Sequence, residues 1–185
     1  MRWPRLLIVG VGLVAAVALL QSRFCLVLSV GESMNPTLAS RELLLVDRAA
    51  YRHAEPRRGD IVVARHFGEW ITKRVVGLPG ETAEVRAGRL FVNGKPLPEQ
   101  YRVLPGPLNI SPGTLLPGPF ALLGDNRDMS DSLTIHAVVG QDQILGRVVG
   151  SVHLGRVGSG DAQELKGKSL LQENAHHRAS RRLDS

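Results

Sequence analysis

Hydrophobic positions are distributed unevenly along the chain. Residues 6 to 20, LLIVGVGLVAAVALL, contain no charged or strongly polar side chain. Fifteen residues rise about 22 Å as a helix, against a bilayer core of about 30 Å. Trp3, Pro4 and the stem of Arg5 would extend the apolar stretch at one interface, and Arg23 would snorkel at the other. Three readings fit this segment: a membrane anchor, a cleaved signal peptide with Arg2 and Arg5 ahead of the apolar run and Ala16-Val17-Ala18 as its cleavage site, or a buried helix.

From Phe24 onward the apolar runs shorten and Gly and Pro punctuate them. FCLVLSV, ELLLVD, DIVVARHF, EWITKRVVGL, TAEVRAG, RLFVNGKPL, PFALLGD and GRVVGSVHL each have the length and composition of strands. Asn93-Gly94 is a two-residue hairpin signal, and Arg86-Ala87-Gly88 marks another turn. The pattern predicts an all-β domain over residues 24–157. Residues 96–119, with seven prolines, are expected to form an ordered loop or small insertion. The polar stretch 158–185 is expected to be a disordered tail or a short amphipathic helix.

Charge changes this picture little. The formal net charge is +6, but residues 1–23 carry three arginines and no acid, and residues 151–185 carry six Lys or Arg against four Asp or Glu. The middle is nearly balanced. Basic ends suit an anionic membrane surface better than a nucleic-acid groove, and aromatics are too few for base-stacking platforms. No nucleic-acid partner is therefore expected. The single cysteine, Cys25, excludes an intrachain disulfide and a thiolate zinc cluster. The six histidines show no ligand spacing, so neither metal nor cofactor is expected.

The candidate chemistry is in GESMNPTL at 31–38 and WITKRVVGLPGE at 70–81. A serine hydroxyl needs a neighbouring base, and a lysine serves only when burial lowers its pKa. Lys73 follows Trp70, Ile71 and Thr72 and precedes Arg74, Val75 and Val76, a strand able to desolvate an amine. Taken singly, Ser33 reads as a turn residue and Lys73 as a solvated surface charge. Their company argues otherwise: RGDIVV stands at 58–63 and LLGDNRDMSDS at 122–132.

These four ordered boxes, spread over Phe24 to Gly150, resemble the type I signal peptidases, the serine-lysine leader peptidases of export systems. The resemblance implies Ser33 as nucleophile, Lys73 as general base, and the backbone N–H of Ser33 as one oxyanion donor. Gly31 stands where some members add a serine hydroxyl. Ser130 matches the serine that orients the lysine, and Asp125, Asn126 and Arg127 match its supporting turn. Leu28, Val30, Met34, Trp70 and Thr72 are expected to bind substrate at the pockets. Met34 is placed either at the bilayer surface beside the nucleophile or in ordinary packing. The family's Ser-Xaa-Asp-Ser-Arg is replaced by Ser130-Asp131-Ser132-Leu133-Thr134, which removes its Asp/Arg pair.

The resemblance further implies coiled antiparallel sheets after one N-terminal transmembrane helix, residues 1–23, retained as an anchor. The catalytic domain would face the extracytoplasmic side of the cytoplasmic membrane. Its partners would be the lipid bilayer and exported preproteins, cleaved after small residues at the first and third positions before the cut. The altered fourth box leaves two other readings: a dedicated pilin-type processing peptidase, or a catalytically impaired membrane-tethered binding protein.

Overall fold

The computed structural model describes residues 10–12, 21–114, 118–129 and 136–153. Most of the expected anchor and all of the tail 158–185 lie outside these residues, and no helix among the described residues is long and apolar enough to cross a membrane.

The described chain is mainly β. Eleven strands follow in order: β1 (Phe24–Ser29), β2 (Glu42–Asp47), β3 (Ile61–His66), β4 (Glu69–Gly77), β5 (Thr82–Arg86), β6 (Arg89–Val92), β7 (Lys95–Pro96), β8 (Ile110–Thr114), β9 (Phe120–Leu123), β10 (His136–Val139) and β11 (Ile144–His153). Seven form one sheet in the order β1-β2-β11-β3-β4-β9-β10, and four form a second in the order β7-β6-β5-β8. Every paired strand is antiparallel.

The large sheet is buried on both faces at its centre. Val75 and Leu122 turn to one side, where they pack with Val62, Ala64, Phe120, Ala137 and Val139. Their neighbours Val76 and Leu123 turn to the other side and meet Val85, Leu90 and Leu108 beneath the small sheet. Two-sided burial is why β9 (FALL) and the Val75-Val76 pair of β4 read as consecutive apolar residues rather than alternating ones. Each such side chain stabilises the fold by about 1.5–3 kcal/mol. In β2, by contrast, Leu44 and Val46 are buried while Leu45 is exposed, the alternation of a sheet with one open face.

Turn chemistry sets the register of the small sheet. Asn93 (φ 51°) and Gly94 (φ 73°) join β6 to β7, and Ala87 (φ 46°) with Gly88 (φ 75°) joins β5 to β6. Consecutive positive φ values give the twist a two-residue hairpin needs.

Two strands escape the sequence pattern. The seven-proline run contains β8, which pairs with β5 through Val85↔Ile110. Pro112 is tolerated there because β8 is an edge strand, where a missing N–H breaks no ladder on the outer side. The other is β10, four residues long, paired with β9 through His136↔Leu123. The resulting β9–β10 hairpin has a long connection that includes Asp125, Asn126 and Arg127.

Candidate active site

Ser33 sits in the β1–β2 connection, a compact loop closed by its own backbone. The N–H of Asn35 donates to Glu32 O at 3.0 Å, and those of Thr37 and Leu38 donate to Met34 O at 2.9 and 3.0 Å. Met34 and Leu38 pin the loop from below, packing with Leu44, Val46 and Val63. Met34 is only 2% exposed, so of its two expected placements the structure has ordinary packing, close to Ser33 in the loop.

Lys73 comes from β4, opposite Val62 of β3. Burial deepens along this strand, from exposed Glu69 and Trp70 at the tip to buried residues from Lys73 onward. The amine lies 2.5 Å from Ser33 Oγ and is hydrogen-bonded to it. Desolvation lowers the Lys73 pKa to about 8, against a smaller opposing pull from the negative charge of Asp125. An amine near this value is partly neutral at physiological pH and has a lone pair free to take a hydroxyl proton.

The loop after β9 fastens the Ser33 loop from the other side. The backbone N–H of Asn126 donates to Ser33 O at 3.0 Å, and its Nδ2 donates to Glu32 O at 3.1 Å. Asp125 is fully buried and paired with Arg74, whose Nε and Nη2 donate to its two oxygens at 2.9 and 2.5 Å. Thr37 Oγ1 donates to the same carboxylate at 2.5 Å. Arg127 is fully buried as well, donating to Gly124 O, Gly88 O and the Glu99 carboxylate.

The RGD box underpins β4. Arg74 Nη1 donates to Gly59 O at 2.8 Å, and the Gly59 N–H donates to Val75 O at 2.8 Å. Arg58 grips Glu81 through both carboxylate oxygens at 2.6 and 2.7 Å and also donates to Val76 O. RGD and KRVVGLPGE are thus joined by direct bonds.

A cleft of about 350 Å³ opens over the pair. Leu28, Val30, Met34, Trp70 and Thr72 all line it, together with Ser33, Lys73, Ile71 and Met129. The structure thus brings together Ser33, Lys73, Asp125, Asn126 and the five expected lining residues. Arg127 is one step removed, fixing the turn. Ser130 and the altered segment through Thr134 lie outside the described residues. Among the described residues no group of three or more His, Cys, Asp or Glu is arranged to hold a metal.

Sequence reasoning missed Thr37, Arg74, Glu99 and Tyr101. Arg74 left a usable signal: two adjacent cations inside an apolar run put one on each face of a strand buried on both sides. One is desolvated and the other must find an acid.

Known proteins resemble the chain as a whole. The family described as "Signal peptidase, peptidase S26" matches residues 1–152. The chain is 38% identical over 128 residues to signal peptidase I of Leptolyngbya laminosa, covering 64% of this chain and 63% of that protein. It is 35% identical over 123 residues to probable signal peptidase I-2 of Synechocystis sp., covering 62% and 56%. It is 31% identical over 139 residues to signal peptidase IB of Staphylococcus aureus, covering 64% and 72%. The chain thus spans less than two thirds of the length of the first two relatives. The solved structure of a signal peptidase I from Enterococcus faecalis is 28% identical with a TM-score of 0.42, covering 51% of this chain and 97% of that one. With a family match over residues 1–152, this chain belongs to the S26 signal peptidases.

Proposed function

We propose that the protein is a serine endopeptidase that removes signal peptides from exported preproteins through a Ser33/Lys73 dyad. The observation that carries this reading is the buried Lys73 amine held 2.5 Å from the Ser33 hydroxyl at the floor of an open cleft.

In the proposed mechanism the preprotein enters extended, between the end of β1 at Leu28–Val30 and the start of β4 at Trp70–Thr72. Since β1 is an edge strand of the large sheet, its free backbone groups are open to strand addition. Neutral Lys73 takes the Ser33 proton as Oγ attacks the scissile carbonyl. The oxyanion is stabilised by the Ser33 N–H, a type of donor that contributes a few kcal/mol. The tetrahedral adduct collapses as the C–N bond breaks, and Lys73 returns the proton to the leaving amine. Water then attacks the ester as Lys73 takes its proton, the bond from the carbonyl carbon to Ser33 Oγ breaks, and Lys73 returns the proton to Oγ, restoring the dyad. Residues 1–23 would anchor the enzyme in the cytoplasmic membrane, with this domain on the extracytoplasmic side.

The test is cleavage of a preprotein with an Ala-Xaa-Ala site, in detergent micelles, by the wild-type chain, Ser33→Ala and Lys73→Ala. Cleavage by wild type alone is expected. Equal cleavage by either variant removes the dyad.

A further inference from the structure

The proline-rich segment between β7 and β8 does more than connect them. Leu104 forms a parallel bridge with Asn126: its N–H donates to Asp125 O and its carbonyl accepts from the Arg127 N–H, both at 2.9 Å. This lays residues 99–104 along the loop that holds Ser33. Two side chains of the segment then reach buried cations, Tyr101 meeting Arg74 and Glu99 meeting Arg127. The Tyr101 ring covers the Arg74 guanidinium, with Cζ 3.8 Å from the ring centroid. Its hydroxyl donates to Glu99 Oε1 at 2.6 Å, and the same oxygen accepts from Arg127 Nη2 at 2.6 Å. Tyr101 therefore links the cation that holds Asp125 to the cation that fixes the turn carrying it.

Arg74 needs such a cover. Its rim is spent on in-plane partners, Nε and Nη2 on Asp125 and Nη1 on Gly59 O, which leaves its faces, and a weakly hydrated planar cation is held well by an aromatic face. Burial and the neighbouring Glu99 carboxylate raise the Tyr101 pKa, so the hydroxyl remains a donor across the working range.

We propose that Tyr101, held by Glu99, is a positioning residue for the dyad: its ring keeps Arg74 on Asp125, fixing the acidic group that acts on Lys73 and the loop that seats Ser33. The proposal rests on the serine-lysine reading above. Lys73 is faced by Ser33 from the β1–β2 loop and by the charge of Asp125 from the β9–β10 loop, which Arg74 neutralises from the next position on β4. Without the ring, Arg74 swings toward water and the Asp125 charge acts on Lys73 uncompensated. The amine then holds its proton more tightly and is a scarcer base at neutral pH.

The experiment uses the full chain in detergent with lysine labelled with ¹³C at Cε. The sequence has four lysines, Lys73, Lys95, Lys166 and Lys168, so Lys73 is assigned by the signal missing in Lys73→Ala. Titration and pH-dependent preprotein cleavage are followed in wild type, Tyr101→Phe and Tyr101→Leu. Tyr101→Phe keeps the stacked face and is expected to stay within about threefold of wild type in kcat/KM, the scale of one modest hydrogen bond. Tyr101→Leu is expected to raise the Lys73 titration by about one unit, giving about tenfold lower kcat/KM at pH 7 and near-recovery above pH 9. A folded Tyr101→Leu in which Lys73 titrates as in wild type overturns the proposal, as does a rate loss equal at every pH. Should Tyr101→Leu not fold, Tyr101→Met, similar in bulk but without a π face, takes its place. Failure of both to fold makes the residue structural and also overturns the proposal. If the wild-type chain cleaves nothing, the peptidase reading fails, while the lysine titration in the same samples still decides the role of Tyr101.

Discussion

The Lys73 amine stands 2.5 Å from the Ser33 hydroxyl although forty residues separate the two in the chain. Only the docking of the β1–β2 loop onto β4 brings them together. Lys73→Arg should therefore be as inactive as Lys73→Ala, because a guanidinium never releases its proton to act as base. A loss of about 10²-fold or more is expected for each, the scale of general-base catalysis. In wild type, kcat/KM should rise with pH through an acid limb near 8, read from initial rates between pH 6 and 10.

Burial of Lys73 should cost stability. Its folded pKa of about 8 lies below its ordinary value of 10.5, so the unfolded chain binds more protons between these values. Stability from this group accordingly rises with pH across roughly 8 to 10.5. Lys73→Met, which removes the amine and keeps the stem, should be more stable than wild type at pH 7 by up to about 3 kcal/mol. The gain should vanish as the pH approaches 10.5. Urea unfolding of both proteins at pH 7 and 10 checks this.

Asp125 and Arg74 are both buried, so removing one strands the other. Asp125→Ala should destabilise by about 3–5 kcal/mol, and Arg74→Met by a similar amount. Arg74→Met with Asp125→Leu should recover much of the loss, because no uncompensated charge remains. A double-mutant cycle in denaturant measures the coupling. Cleavage should not return with stability, since the carboxylate that accepts from Thr37 is gone.

Asn126 holds the Ser33 loop twice, once by its backbone and once by its side chain. Asn126→Ala removes the bond to Glu32 O and the one that Oδ1 accepts from the Asp128 N–H, a loss of about 1 kcal/mol for each. The effect should appear mainly in kcat, because the side chain orients the nucleophile without lining the cleft. Steady-state kinetics with one preprotein separates kcat from KM.

At the start of β1, Arg23 pairs with Asp47, holding its carboxyl below the ordinary range despite burial. A depressed carboxylate contributes stability that is full above its unfolded value of about 4 and disappears as pH falls through the folded value. Asp47→Asn should flatten the acid side of the stability profile, measured by thermal unfolding from pH 2 to 6.

Much of this protein is legible along the chain. β2 spans Glu42–Asp47, the limits of the apolar run ELLLVD, because alternation on a half-buried strand is a local property. The β6–β7 hairpin follows from Asn93-Gly94 because positive φ is cheap for just these residues. The proposed nucleophile and base, Ser33 and Lys73, are visible too, since their chemistry depends on residue type and short flanking boxes. The tertiary structure decided the rest. Nothing local marks Thr37, Glu99 or Tyr101 as neighbours of the dyad, because hydrogen bonds and ring contacts across the fold leave no period in the sequence. β8 is hidden by Pro112 and the prolines around it, and its edge position, a fact of sheet topology, is what makes Pro112 harmless. Above all, the sequence names a lysine but not its pKa: that follows from how completely β4 is covered on both faces, and burial is a property of the assembled fold.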